Sequence, residues 1–217
     1  MAILSDNQIR EKLKAGEIII DPFFDPFLGP NLYYCHLGDT LLKVKRQPEG
    51  FICDPLVHKS EDLYEEIKIE NEYILQPNEF VLATAFEFLG TDGDHIIRLL
   101  NSSSFARVGI SQAALGMINA GCGIKSPVRL TLELINNFPY PVKLKPTKIT
   151  SDGEVDFGTE VLKIVVEEMK NKPSIIYDDW KHGVYSGDKK AVGPKMAGRF
   201  TDQKLALPKT SRYFKKP

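Results

Sequence analysis

Apolar positions at the start of the chain keep helical spacing and then switch to a strand-like run. Ser5 with Gln8 three residues on has the form of a capping box, Ile9 and Leu13 share a helical face, and Gly16 supplies a stop. The pattern predicts a short helix over residues 5–15 and a strand over 17–20. Residues 21–30, with three prolines and three phenylalanines, continue neither element and read as an irregular, partly buried loop. Residues 31–42 look extended, with Gly38-Asp39 as a place to break or turn the run. Residues 46–64 are polar and loop-rich. The runs 67–75 and 80–88 are rich in β-formers and are joined through Gln76-Pro77-Asn78-Glu79, which predicts a hairpin. Further short strands are expected at 96–100, 142–144 and 161–166.

One stretch alternates strictly. Val128, Leu130, Leu132 and Leu134 interleave with Arg129, Thr131 and Glu133, the period of a half-buried strand that sets Glu133 on the face of Arg129 and Thr131. Many short strands, frequent Gly and Pro and one confident helix predict a mainly β fold, a barrel or jelly-roll with small helical additions. The expected division is a β domain over 1–180 and a flexible, basic C-terminal arm over 181–217. From Lys181 onward ten Lys or Arg face only Asp188 and Asp202, so the arm reads as a solvated tail or as a lid attracted to a polyphosphate.

Composition narrows the function. At 217 residues, with 42% hydrophobic residues, the chain has the core of an ordinary one-domain globular protein. Twenty-eight basic against 29 acidic residues leave a net charge of -1, which points away from nucleic acid and membrane surfaces as partners. No apolar run nears the roughly 20 residues that span a bilayer. The first residues do not read as a signal peptide, and Cys35, Cys53 and Cys122 are odd in number and far apart. Reduced thiols, buried as small hydrophobes, in a cytoplasmic protein are therefore expected.

Candidate chemistry collects between residues 100 and 135. The run Ser102, Ser103, Ser104 followed by Arg107 suits a phosphate, since short hydroxyl donors and a forked guanidinium approach its oxygens closely. A carboxylate on a rigid strand near such a turn, Glu133, is placed for proton transfer; the plainer reading is a surface Glu paired with Arg129 or a Lys. Zinc hydrolysis of a nucleobase amine would need His-x-Glu and Pro-Cys-x-x-Cys. None of the four histidines stands in such a triplet and no Cys-x-x-Cys is present, so the spacing excludes that route.

In order along the chain, Ser-Ser-Phe-Ala-Arg-Val-Gly from Ser103, Ile118-Asn119-Ala120-Gly121, and Leu-Thr-Leu-Glu-Leu-Ile-Asn from Leu130 resemble the dCTP deaminase branch of the dUTPase-like superfamily. Leu4-Ser5-Asp6, Asp21-Pro22-Phe23 and Leu37-Gly38 agree, and the resemblance runs from about residue 4 to 185. It implies a dUTPase-like β-barrel, a homotrimer with sites shared between subunits, and hydrolytic deamination of dCTP to dUTP and ammonia. No metal is then bound by the protein, and Mg²⁺ arrives on the nucleotide triphosphate. Glu133 matches the family's proton shuttle, and Ser103 the serine that holds the attacking water, with the carbonyl partner near Ala114 or Leu115. Ser103, Ser104 and Arg107 match the family's triphosphate-binding turn, Ser102, Thr131 and Leu132 fall among the substrate contacts, and Tyr177 and Tyr185 match the tail aromatics.

The departures are as informative. Asn119 stands where the family has an Asp near the sugar hydroxyl and cannot act as a base, which favours deamination without phosphate cleavage. Ser102 replaces an Arg, and Val184 and Asp188 replace a tail Lys and Gln, although Asp188 remains among the expected substrate contacts. Tyr34-Cys35-His36 replaces Asp-Leu-Arg. A dUTP diphosphatase of the same superfamily, or a catalytically silent nucleotide-binding relative, are the alternatives.

Overall fold

The structure, a computed structural model, describes residues 2–197. The helix forms over Asp6–Ala15 with Ser5 as its N-cap. Gln8 Oε1 accepts from Ser5 N at 3.0 Å, and Gly16 closes the end at φ 71° with its N–H donating to Leu13 O. The Gly is required there because a left-handed backbone strains any side chain. Ile9 is buried and Leu13 packs on the core, so the predicted face is the one that docks.

The body is a curled ten-stranded sheet. Its main path runs Ile110–Gln112, Val128–Asn136, Phe80–Thr91, Tyr33–Val44, Glu160–Glu168, His95–Leu100 and Met117–Ile118, each pair antiparallel. Ile18–Asp21 adds to Phe80–Thr91, and Tyr64–Lys68 adds to Tyr33–Val44. The fold is mainly β, as the alternation predicts. One continuous apolar cluster, with Tyr33, Leu37, Leu89, Leu132 and Ile164 in it, fills the interior. Cys35 and Cys122 are buried as expected, whereas Cys53 is exposed on the long loop; all three are free thiols.

Two local expectations are corrected. Gly38-Asp39 does not turn the chain; Tyr33–Val44 runs straight through it with a register shift between Leu37 and Leu41. A Cβ at Gly38 would come within 3.0 Å of Thr84 O, so the glycine permits a close crossing of two strands. The hairpin over 67–88 is also absent. The run 67–75 splits into the end of Tyr64–Lys68 and Tyr73–Leu75, and the latter pairs with Val142–Leu144. Asn78, at φ 62°, turns the chain out of hairpin geometry, and its N–H donates to Asn136 O at 2.7 Å. Buried Asn136 in turn donates to Leu75 O at 3.0 Å. Side-chain bonding to backbone thus outweighed sequence adjacency.

The basic arm, expected to be flexible from Lys181, lies along the sheet as far as it is described. Ala191 is buried against Leu42 and Leu82, its N–H donates to Thr84 Oγ1 at 2.7 Å, and Val192 N donates to Thr131 Oγ1 at 3.0 Å. Residues 198–217, the rest of the predicted lid, lie outside the described part.

Candidate active site

The Val128–Asn136 strand builds the site. Val128, Leu132 and Leu134 are buried in the core, and Thr131 and Glu133 face the other way into a cavity of about 450 Å³. A register shift between Arg129 and Thr131 breaks the alternation, so Arg129 and Leu130 reach the same wall. That volume is in the range of small-ligand sites. Aromatic side chains of Tyr64, Phe80, Tyr177 and Tyr185 enclose it, and Asn119 and Asp188 complete its polar part.

Burial pushes the Glu133 carboxyl above the ordinary carboxylate range, with its own backbone N–H pulling weakly the other way. No ion pair among the described residues includes it. Arg129, its plainest partner by sequence, lies over the Phe88 ring at 4.9 Å and near Asp39 at 3.8 Å instead. Glu133 is thus a half-buried carboxyl with no counter-charge among the described residues, in a cavity walled largely by apolar side chains.

The C-terminal segment forms the outer wall. Arg129 N donates to Asp188 O at 2.7 Å, continuing the contacts that Ala191 and Val192 make with Thr84 and Thr131. Lys195 Nζ grips the Asp188 carboxylate at 2.8 and 2.9 Å, donates to Val184 O at 2.7 Å and lies 5.0 Å from the Tyr185 ring centre. One lysine therefore touches both tail positions that depart from the family pattern. The sequence marked it only as one cation among ten.

The structure brings Asn119, Thr131, Glu133, Tyr177, Tyr185 and Asp188 to one cavity. It leaves the other predicted site residues outside that wall. Ser103, Ser104 and Arg107 lie exposed on the five-residue helix Ser103–Arg107, and Ala114 is exposed on the loop beyond Ile110–Gln112. Ser102 is 1% exposed, as is Leu132, whose side chain belongs to the core, so only its backbone can face a substrate. The helix and the site strand remain close in the topology: Gln112 stands opposite Leu134, and Ala113 N donates to Glu133 O at 2.8 Å. Thr131 is present, but its hydroxyl already accepts from the tail. Sequence reading missed Tyr64, Thr84 and Lys195; Tyr64 and Thr84 lie in runs with no chemical signature of their own.

A cluster of Glu17, Asp92 and His95 brings ligand-type atoms within 4.8 Å, away from this cavity. Lys12 Nζ lies 2.6 Å from Glu17 and Asp92 is 2.7 Å from His95 Nδ1, while His95 Nε2 is buried with no hydrogen-bond partner among the described residues. Among the described residues no helix is long and apolar enough to cross a membrane.

A sequence profile described as dCTP deaminase-like matches residues 3–150. Among curated proteins, the chain is 31% identical over 204 residues to one named dCTP deaminase, dUMP-forming, from Methanopyrus kandleri, covering 90% of this chain and 96% of that one. It is 35% identical over 150 residues to a protein of the same name from Dictyoglomus thermophilum, covering 66% and 74%. Among solved structures, 2'-deoxycytidine 5'-triphosphate deaminase from Agrobacterium tumefaciens superposes with a TM-score of 0.52 at 17% identity. That match covers 76% of this chain and 47% of the other, and it shows a shared fold.

Proposed function

The chain belongs to the dCTP deaminase-like family, and from that premise we propose that it hydrolyses dCTP to dUTP and ammonia with Glu133 as the proton carrier. The observation that carries the reading is the half-buried carboxyl of Glu133, unpaired among the described residues, inside a cavity of about 450 Å³. Ionised Glu133 takes a proton from water as its oxygen adds to C4 of the cytosine ring, and delivers that proton to N3. A second proton passes from the new hydroxyl through the same carboxylate to the amine, the C4–N bond breaks, and ammonia leaves. Such proton transfer supplies about two to four orders of magnitude, and orientation of water and base supplies the rest.

Exposure of the Ser103–Arg107 helix, apart from the cavity of its own chain, supports a site completed between subunits of a homotrimer. Ser103 then orients the water, and Ser104 and Arg107 hold the triphosphate with its Mg²⁺, all three from the adjoining subunit. Asn119, Tyr177 and Tyr185 border sugar and base from the same chain as Glu133.

The relatives' printed name favours a second reading, in which the product is dUMP and pyrophosphate is also released. Against it, the described residues of the cavity wall include two carboxylates, Glu133 and Asp188, and Lys195 occupies the second. Asn119 supplies no base for a second water. Purified protein incubated with dCTP and with dUTP, with ammonia and pyrophosphate both measured, separates the outcomes. Ammonia without pyrophosphate from dCTP supports dUTP as product, and ammonia with equal pyrophosphate establishes the dUMP-forming reaction. Pyrophosphate from dUTP without ammonia from dCTP marks a diphosphatase, and no release of either marks a silent relative.

A further inference from the structure

The outer wall of the Glu133 cavity is made of three chain segments that are distant in sequence: the loop with Asn119 and Cys122, the turn with Tyr177, and the stretch with Tyr185 and Asp188. Asp178 bonds to the loop and to the Tyr185 stretch, and itself lies in the turn. Its Oδ1 accepts from Gly123 N at 3.0 Å and from Ser186 Oγ at 2.6 Å, and its Oδ2 accepts from Lys125 N at 3.0 Å. Two backbone N–H groups, one on each oxygen, fix the carboxylate's orientation, and charge assistance strengthens each bond. Neighbouring contacts register the turn on the loop. Tyr177 N donates to Ala120 O at 2.9 Å, and Lys125 pairs with Asp179. Gly121, at φ 76°, leaves room for Ile176, since a Cβ there would lie 2.3 Å from Ile176 Cβ.

Asp178 does not line the cavity, so it acts through others. We infer that Asp178 is a positioning residue, joining loop, turn and tail so that Asn119, Tyr177 and Tyr185 stand together against a bound nucleotide. The inference rests on the deaminase reading of the same cavity. Its effect falls on binding, because the wall it holds carries no proton-transferring group; Glu133 sits on the sheet behind.

The chain's one tryptophan reports on this arrangement. Trp180 ends the Tyr177–Asp179 turn, with its ring 6.2 Å from that of Tyr177 and 5.5 Å from that of His182. Titrating the full-length protein with dCTP in a Glu133→Gln background, which is expected to bind nucleotide without turnover, while following Trp180 emission gives a dissociation constant separate from catalysis. In Asp178→Ala, that constant and KM rise on the order of tenfold while kcat stays within about threefold of wild type. Ser186→Ala removes one of the three bonds, and Asp178→Asn turns one N–H-accepting oxygen into a donor; each is expected to raise KM by about two- to fivefold.

A folded Asp178→Ala protein with KM and dissociation constant within about twofold of wild type overturns the inference, as does a loss confined to kcat. Should Asp178→Ala fail to fold, unchanged KM in both milder variants overturns it equally. If the wild type itself neither releases ammonia from dCTP nor shifts Trp180 emission, the deaminase reading has failed. Nucleotide binding by the wild type that Asp178→Ala leaves intact is failure of this inference alone.

Discussion

Two regions carry the residues that the sequence marks for phosphate, and they end up in opposite situations. The Ser103–Arg107 helix is short and exposed, and its side chains touch nothing in the cavity of its own chain. The tail from Tyr177 to Pro194 is bound to the sheet through Thr84, Thr131 and Arg129 and forms the cavity's wall. The first has the density of donors expected of a phosphate site and no enclosure. The second encloses the site, and two lysines of its end are already engaged, Lys190 with Glu66 and the adjoining Lys195 with Asp188. Donor chemistry and enclosure are thus separated within one chain, and the proposed intersubunit site would bring them together.

The largest effect separates Glu133 from both regions. Glu133→Gln is expected to keep nucleotide binding and to lower ammonia release from dCTP by at least about a hundredfold. Near-normal turnover in that variant would end the proton-carrier assignment.

Arg107→Ala is the next test, with KM for dCTP rising on the order of tenfold and kcat largely kept. Mixing it with Glu133→Gln under conditions that exchange subunits sharpens the comparison. Each variant then supplies the half-site the other lacks, so ammonia release should recover above the sum of the separate proteins. No recovery, with exchange verified by mass, would place both residues in one chain's site.

A third test reads stability. Burial raises the folded-state pKa of Glu133, so its neutral form is the one the fold favours, and ionisation above that pKa destabilises the wild type. Glu133→Gln should therefore melt higher than wild type at about pH 8. The gap should close as pH falls through the raised value toward the usual carboxylate range. An equal or lower melting temperature at high pH would mean that the carboxylate is well solvated.

The smallest effect probes the tail's attachment. Thr84 is fully buried, and its hydroxyl meets both Ala191 N and Thr40 Oγ1, the latter at 3.0 Å. Thr84→Val strands a buried N–H and should cost about 1–3 kcal/mol in denaturant unfolding. Thr131→Val, at a half-buried position, should cost about 1 kcal/mol or less. If neither shifts the transition, the tail is not held by these bonds.

Local chemistry made much of this legible beforehand. The capping box of Ser5 and Gln8 and the stop at Gly16 act within a few residues, and the helix ends where they say. The alternation through Leu132, Glu133 and Leu134 reports which face meets the core, so Glu133's position on the opposite face was legible, whereas the cavity on that face was not. The family resemblance, carried by three motifs in order, needed no coordinates either.

Other features depend on groups far apart in sequence. Asn136 draws the turn after Leu75 away from a hairpin, and Gly38 passes under Thr84 instead of turning. Lys195 reaches back to Val184 and Asp188, and Asp178 finds Gly123 and Lys125 more than fifty residues upstream. Such bonds form because folding buries polar groups that must be paired. Which partner pairs with which is set by the curl of the sheet, so it became readable only once the tail had a surface to lie against.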